Sequence, residues 1–152
     1  MPQELSAPHH DVDGVLAWTV IRAARALSRR LAVELAPLGL TPVEFGVLVQ
    51  LGAAGELSQA DLARAVGVRP QSMTTLARGL TTRGLVERGA APGRGRASRM
   101  RLTDQGEALL ASAHPVVRAS NAWFGDGAEP VAATLLPLLG SDDPSDDTAA
   151  VP

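Results

Sequence analysis

The sequence predicts a mostly α-helical (α+β) chain with one small β-hairpin, and three observations support this fold class. Apolar residues recur at helical spacing along most of the segment from residue 12 to residue 140. The stretch from residue 85 to residue 102 instead alternates apolar residues with arginines, as strands do. Hydrophobic residues make up 45% of the 152 residues, enough for a buried core in one domain.

The first eleven residues are expected to form a flexible tail, and the first helix is predicted over residues 12–38. Its inward stripe comprises Val20, Leu27, Leu31 and Leu35. This stripe is widened near the start of the helix by Val15, Leu16, Trp18 and Ile21. Because so apolar a helix does not suit an isolated surface position, it is expected to pack on another helix, from this chain or a second one.

A second helix is predicted to start after residue 41 with a capping box. Thr41 is the expected N-cap, Pro42 suits the first helical position, and Glu44 is the reciprocal partner. Its apolar face is formed by Phe45, Val47, Leu48 and Leu51. The run "GAAGE" is then expected to break the chain.

The third and fourth helices are predicted to follow each other across a short turn. Ser58 is the expected N-cap of the third helix, with Asp61 as its partner, and Gly67 suits a left-handed C-terminal cap. The fourth helix is predicted over residues 70–83. Its inward stripe comprises Met73, Leu76, Ala77 and Leu80.

The stretch "LVERGAAPGRGRASRMRLT" predicts a β-hairpin with a long glycine-rich connection. Thr103 then caps a fifth helix, predicted over residues 103–124 with a kink at Pro115. A break at "GDGAEP" precedes a short final helix over residues 129–140. The acidic stretch 141–152 is expected to be disordered.

The charge distribution points to a polyanionic partner. All fourteen basic residues are arginine, and residues 58–106 hold nine of them against three acidic residues, a net charge of +6. The rest of the chain carries −8, which hides this basic segment in a total of −2. Such a patch is typical of proteins that bind a phosphate backbone, although a solvated arginine-rich surface has the same composition.

Two helices joined by a short glycine turn predict a helix-turn-helix, and the hairpin that follows predicts its wing. The outward positions of the second helix offer side chains that can pair with base edges in the major groove: Arg69, Gln71, Ser72, Thr74, Thr75 and Arg78. Arg94 and Arg96 on the wing connection can reach a minor groove. Arg99 and Arg101 on the second strand are expected to contact phosphates.

The chain resembles the MarR family of transcriptional regulators from about residue 20 to residue 110. Three segments carry the resemblance, in order: "GLTPVEFGVLVQL", "LSQADLARAVGVRPQSMTTLARGLTTRGLVER" and "RLTDQGEALL". It implies a winged helix-turn-helix over residues 41–104 and dimerisation helices over residues 12–38 and 104–140. It also implies a homodimer that represses transcription from a pseudo-palindromic site on double-stranded DNA. A small aromatic or phenolic effector is expected to release the DNA, at ligand-binding residues that the sequence does not assign. The N-terminus has no signal pattern, which separately predicts a cytoplasmic location.

The wing departs from the family pattern Asp-Pro-x-Asp-Arg-Arg. Ala91 and Arg94 stand where the acidic residues would be, Gly95 stands in place of the groove-inserting arginine, and Arg96 matches the second arginine. Arg94 and Arg96 are both candidates to replace the missing pair. The resemblance therefore implies a shifted or looser wing with weaker minor-groove selectivity, but no loss of DNA binding.

Other functions are less well supported by the sequence. The alternative is a winged-helix module that binds an acidic protein surface with the same basic patch. The aromatic residues Trp18, Trp123 and Phe124 fit core or dimer packing better than a ligand pocket. No metal site or cofactor is expected, because cysteine is absent and His9, His10 and His114 lack carboxylate partners. No catalytic motif, membrane span or signal pattern is present, so no enzyme and no membrane protein is predicted.

Overall fold

The computed structural model describes residues 12–89 and 98–140. The helices are α1 (Leu16–Leu35), α2 (Pro42–Ala54), α3 (Gln59–Val66), α4 (Pro70–Thr82), α5 (Asp104–Ala119) and α6 (Ala128–Leu135). The strands are β1 (Glu56–Ser58), β2 (Val86–Arg88) and β3 (Arg99–Leu102). Short 3₁₀ segments occupy Ala36–Leu38, Ser120–Gly127 and Leu136–Gly140. The chain forms two compact units, which divide between Val117 and Arg118.

The three strands form one antiparallel sheet in the order β1-β3-β2. The predicted hairpin is confirmed, since Val86 pairs with Leu102 across β2 and β3. The first strand was not predicted: the sequence analysis placed a chain break there, but Leu57 pairs with Met100. A three-residue strand is too short to show the alternation of apolar and polar residues by which strands are predicted. Its position is set by backbone hydrogen bonding to β3, which the sequence does not display.

The core of the first unit gathers around α2. All four predicted apolar residues of that helix are buried: Phe45, Val47, Leu48 and Leu51. Leu62 of α3 and Met73 and Leu80 of α4 have no exposed surface and belong to the same cluster, together with Met100 of β3. The helix-turn-helix is therefore fixed to α2 and to the sheet through one continuous apolar core.

The first helix was predicted over residues 12–38, but its continuous α-helix runs Leu16–Leu35 and is followed by the 3₁₀ segment Ala36–Leu38. The predicted caps of α2 and α3 are confirmed atom by atom. The Thr41 hydroxyl accepts from the Glu44 N–H at 3.2 Å, and the Glu44 carboxylate accepts from the Thr41 N–H at 2.9 Å. Ser58 accepts from the Asp61 N–H at 3.1 Å. Gly67 adopts a left-handed conformation with φ of 74° and ψ of 36°, which ends α3 and sets the turn into α4.

The start of α1 carries apolar surface that its own unit does not cover. Leu35 is fully buried, whereas Leu16 is 70% exposed. Val15, Trp18 and Ile21 are also exposed. The widened part of the predicted stripe therefore does not join the core of this unit.

The fifth helix ends earlier than the sequence predicted. It runs through Pro115 to Ala119, and a 3₁₀ segment replaces the expected last α-helical turn up to Phe124. Gly125 has a φ of 54° and a ψ of −133°, which interrupts the helical backbone before α6. Residues 118–140 belong to the second unit, and in it Phe124 and Leu139 are exposed.

The predicted tails, 1–11 and 141–152, lie outside the described residues.

No single helix among the described residues is long and apolar enough to cross a membrane. One bent pair, Leu16–Leu38 with Pro42–Ala54, is long and apolar enough by length and composition alone, with an angle of 74° between its two parts.

Candidate nucleic-acid interface

The exposed side of α4 holds the side chains that were predicted to read base edges. Met73, Ala77 and Leu80 of this helix are buried. The opposite positions are all exposed: Arg69, Gln71, Ser72, Thr74, Thr75 and Arg78. The helix therefore presents a polar surface while its apolar stripe holds it on α3, which is the arrangement a recognition helix requires.

Two hydroxyls on this surface are engaged within the helix itself. The Thr74 hydroxyl donates to the Pro70 carbonyl at 3.1 Å, and the Thr75 hydroxyl donates to the Gln71 carbonyl at 3.4 Å. Such bonds to the preceding turn are common for threonine in helices. In this arrangement both hydroxyls can accept from a base edge, but neither hydrogen is free to be donated.

The seven arginines of the basic segment that the structure describes fall into two groups. Four form ion pairs: Arg64 with Asp61, Arg83 with Glu44, Arg99 with Glu56, and Arg101 with Glu87. Arg69, Arg78 and Arg88 are exposed and form no ion pair within residues 12–89 and 98–140. The uncompensated positive charge of this part of the chain therefore lies on α4 and at the end of β2.

Acidic partners offset the positive charge of the two strand arginines. Arg101 pairs in register with Glu56 on β1 and with Glu87 on β2. The Arg101 Nε lies 2.8 Å from the Glu87 carboxylate, and the Arg99 Nε lies 3.7 Å from Glu56. These pairs cannot be predicted from the sequence alone, because they depend on strand register and on the unpredicted strand β1.

A side-chain network that the sequence analysis also missed joins α3, α4 and β2. The Gln59 amide donates from Nε2 to the Thr74 hydroxyl at 2.7 Å. Its Oε1 accepts from Arg88 Nη2 at 3.4 Å. Gln59 directly follows a helix cap, and nothing in its sequence position signals contacts 15 and 29 residues away.

The start of α3 is stabilised by a charged cap. The Ser58 hydroxyl donates to Asp61 Oδ2 at 2.6 Å, and Arg64 donates to the same carboxylate. These hydrogen bonds, that from Ser58 first, hold the pKa of Asp61 below its usual range. Asp61 therefore stays ionised at neutral pH, where its charge favours the helix N-terminus.

The end of α4 is tied to the start of α2. Arg83 Nη2 donates to the Gly39 carbonyl at 2.7 Å, and its Nη1 lies 3.3 Å from Glu44. These contacts fix the C-terminal end of the candidate recognition helix, so Arg83 has a structural role that its place in the basic segment does not suggest.

Part of the predicted site lies outside the described residues. Arg94 and Arg96 belong to the segment 90–97, which the structure does not describe. His9 and His10 also lie outside, while His114 is exposed on α5. Among the residues described, no three His, Cys, Asp or Glu side chains come together as a metal site.

Comparison with known proteins identifies close relatives. The MarR family profile matches residues 38–97. An HTH-type transcriptional repressor of Mycobacterium tuberculosis, Rv2887, is 40% identical over 110 residues, which cover 72% of this chain and 79% of the relative. A crystal structure of Rv2887 in complex with salicylic acid has a TM-score of 0.66 at 35% identity, covering 81% of this chain and 95% of that one.

Two similar structures contain DNA. The transcriptional repressor CouR bound to a 23-mer duplex has a TM-score of 0.75 at 25% identity, covering 87% of this chain and 97% of that one. The M. tuberculosis regulator MosR in complex with DNA has a TM-score of 0.69 at 26% identity, covering 86% and 98%. The mostly helical fold with its small antiparallel sheet is thus shared with proteins whose structures contain bound DNA.

Proposed function

The chain belongs to the MarR family of winged helix-turn-helix transcriptional regulators, and from that membership we propose that it is a homodimeric repressor of transcription. It binds a pseudo-palindromic site on double-stranded DNA in the cytoplasm, with one recognition helix in each half-site. The observation that carries the proposal is the exposed polar face of α4, where Arg69 and Arg78 form no ion pair within the described residues.

The contacts divide into those that read bases and those that hold the backbone. Arg78, Gln71 and the other exposed side chains of α4 contact base edges, since arginine and glutamine pair in bidentate fashion with guanine and adenine. Arg99 and Arg101 contact phosphates after exchanging carboxylate partners for phosphate oxygens. Arg94 and Arg96 extend the contact from the wing. Two recognition helices about 34 Å apart would enter successive major grooves.

A small aromatic acid is the effector class we propose. Support comes from Rv2887, whose crystal structure contains salicylic acid. An effector that binds the DNA-free dimer more tightly than the DNA-bound dimer lowers the affinity for the operator. At saturation the decrease equals the ratio of the effector's affinities for these two states. Salicylate should therefore weaken the protein–DNA complex, whereas benzyl alcohol, which has no carboxylate, should act weakly.

Transcription in vitro from the chain's own upstream region tests the proposed role. Added protein should reduce the transcript, and salicylate should restore it. The same region with the candidate half-sites scrambled is the control and should be unaffected. An increase in transcript would contradict repression, and no effect on either template would favour the alternative, a winged-helix module that binds an acidic protein surface.

A further inference from the structure

We propose that Gln59 is a positioning residue that couples the recognition helix α4 to the wing strand β2 and so determines DNA selectivity. The proposal rests on the proposed DNA-binding function, which it deepens. Gln59 is the first residue of α3, and its one side-chain amide reaches both of the other elements.

The amide uses its two ends for different elements. Its NH₂ group donates to the Thr74 hydroxyl of α4 at 2.7 Å, and its oxygen accepts from Arg88 Nη2 at the end of β2 at 3.4 Å. An amide can donate at one end and accept at the other while remaining neutral. A movement of β2 relative to α4 would break one of these hydrogen bonds.

The contact with Gln59 fixes the orientation of Thr74 on the DNA-facing surface. The Thr74 hydroxyl already donates to the Pro70 carbonyl at 3.1 Å and accepts from Gln59 at 2.7 Å. A β-branched side chain with both bonds in place has one preferred rotamer. Thr74 therefore presents a defined shape to a base pair, and the loss of Gln59 would leave its hydroxyl held by the Pro70 hydrogen bond alone.

The contact with Arg88 orients a positive charge without cancelling it. The two arginines of β3 form ion pairs with carboxylates, Arg99 with Glu56 at 3.7 Å and Arg101 with Glu87 at 2.8 Å. Arg88 forms no ion pair within the described residues, and its one side-chain hydrogen bond there is to the neutral Gln59 oxygen. An oriented guanidinium with its full charge is suited to a phosphate beside the recognition helix.

The role in selectivity predicts a specific pattern in DNA binding. Gln59→Leu keeps a similar size and removes both hydrogen bonds. It should lower the ratio of affinities for native and scrambled DNA about five- to tenfold, with thermal midpoint and mass in solution unchanged because exposed hydrogen bonds contribute little to folding. Gln105→Leu, an exposed glutamine on α5, is the matched control and should bind as the wild type does.

A double-variant cycle separates positioning from a general surface effect. In a Thr74→Val, Arg88→Gln background, Gln59→Leu should cause no further loss of selectivity, because both of its partners are gone. An equal loss in that background, or equal weakening on native and scrambled DNA, would overturn the proposal. Wild-type protein without any preference for native DNA would instead contradict the proposed function itself.

Discussion

For a single residue, Arg101, a neighbouring carboxylate limits how much its positive charge can contribute to DNA binding. It lies on the central strand with Glu56 and Glu87 as its register partners. Its charge is offset in the free protein, so a phosphate must compete with Glu87 at 2.8 Å. Exposed ion pairs are weak, which makes that exchange feasible. The exposed arginines of α4 face no such competition within the described residues.

Removing Glu87 should therefore strengthen DNA binding. Glu87→Gln frees Arg101 and deletes a negative charge near the duplex, so affinity for native and scrambled DNA should rise together, several-fold at low salt. Arg101→Gln should weaken both equally and flatten the salt dependence by about one unit of slope. Fluorescence anisotropy across a salt series measures both effects.

The double variant Glu87→Gln, Arg101→Gln is the decisive control for this pair. It has the net charge of the wild type but no arginine at position 101 that could bind a phosphate. If Arg101 contacts a phosphate, the double variant should bind more weakly than the wild type. Equal DNA affinity of the double variant and the wild type would show that the Arg101–Glu87 ion pair has a role only within the sheet.

Arg78 should behave differently, because it lies on the exposed face of α4 without an ion pair in the described part of the chain. Arg78→Ala should reduce discrimination against the wrong base pair by about 1–3 kcal/mol while leaving binding to scrambled DNA less affected. A competition assay with single-base variants of the native site measures this. An equal loss on every sequence would reassign Arg78 to the phosphate backbone.

Among the secondary-structure elements, the helix caps could be predicted from the sequence, whereas the features that depend on strand register could not. The caps at Thr41, Ser58 and Gly67 follow from side-chain chemistry within three residues and were predicted correctly. The strand β1 and the ion pairs of the sheet depend on which residues β3 aligns, and a single sequence does not display that alignment. The contacts of Gln59 were missed for the same reason, since they join residues distant along the chain.

Gly106 explains in physical terms one motif of the family resemblance, the glycine three residues after Thr103. The first turn of α5 packs against the segment at Leu85, whose carbonyl accepts from the Thr103 N–H at 3.1 Å. A Cβ on Gly106 would lie 2.0 Å from that carbonyl oxygen, closer than atoms can approach. Only glycine permits this contact between α5 and the start of β2.

Gly106→Ala should therefore destabilise the protein by about 1–3 kcal/mol or more, because a backbone atom must move. Gly79→Ala is the matched control, since its added Cβ meets nothing within 4 Å. Gly79→Ala should leave stability unchanged or raise it by up to about 1 kcal/mol, as expected for alanine in a helix. Urea denaturation followed by circular dichroism compares the two. Similar stabilities would contradict the close packing at Leu85.

At the scale of the whole molecule, the unburied apolar side chains are consistent with the proposed homodimer. Leu16 and Ile21 are exposed at the start of α1 in the first unit, and Leu136 and Leu139 are exposed in the second. Exposed apolar surface of this kind commonly marks an interface between chains.

The dimer proposal predicts a mass of two chains in solution. Leu16→Glu with Ile21→Glu should shift the protein toward monomer and lower operator affinity about a hundredfold or more, because each half-site is then bound separately. Sedimentation equilibrium gives the mass, and circular dichroism shows whether the helices persist. A monomeric wild type that still bound the full operator tightly would contradict the dimer.

One binding measurement decides whether this chain is a sequence-specific DNA-binding regulator. Purified protein is titrated into fluorescent DNA from its own upstream region and into scrambled DNA, each at two salt concentrations. Native DNA should be preferred about a thousandfold or more, and both affinities should fall steeply as salt rises. Weak binding that is indifferent to sequence would contradict this function.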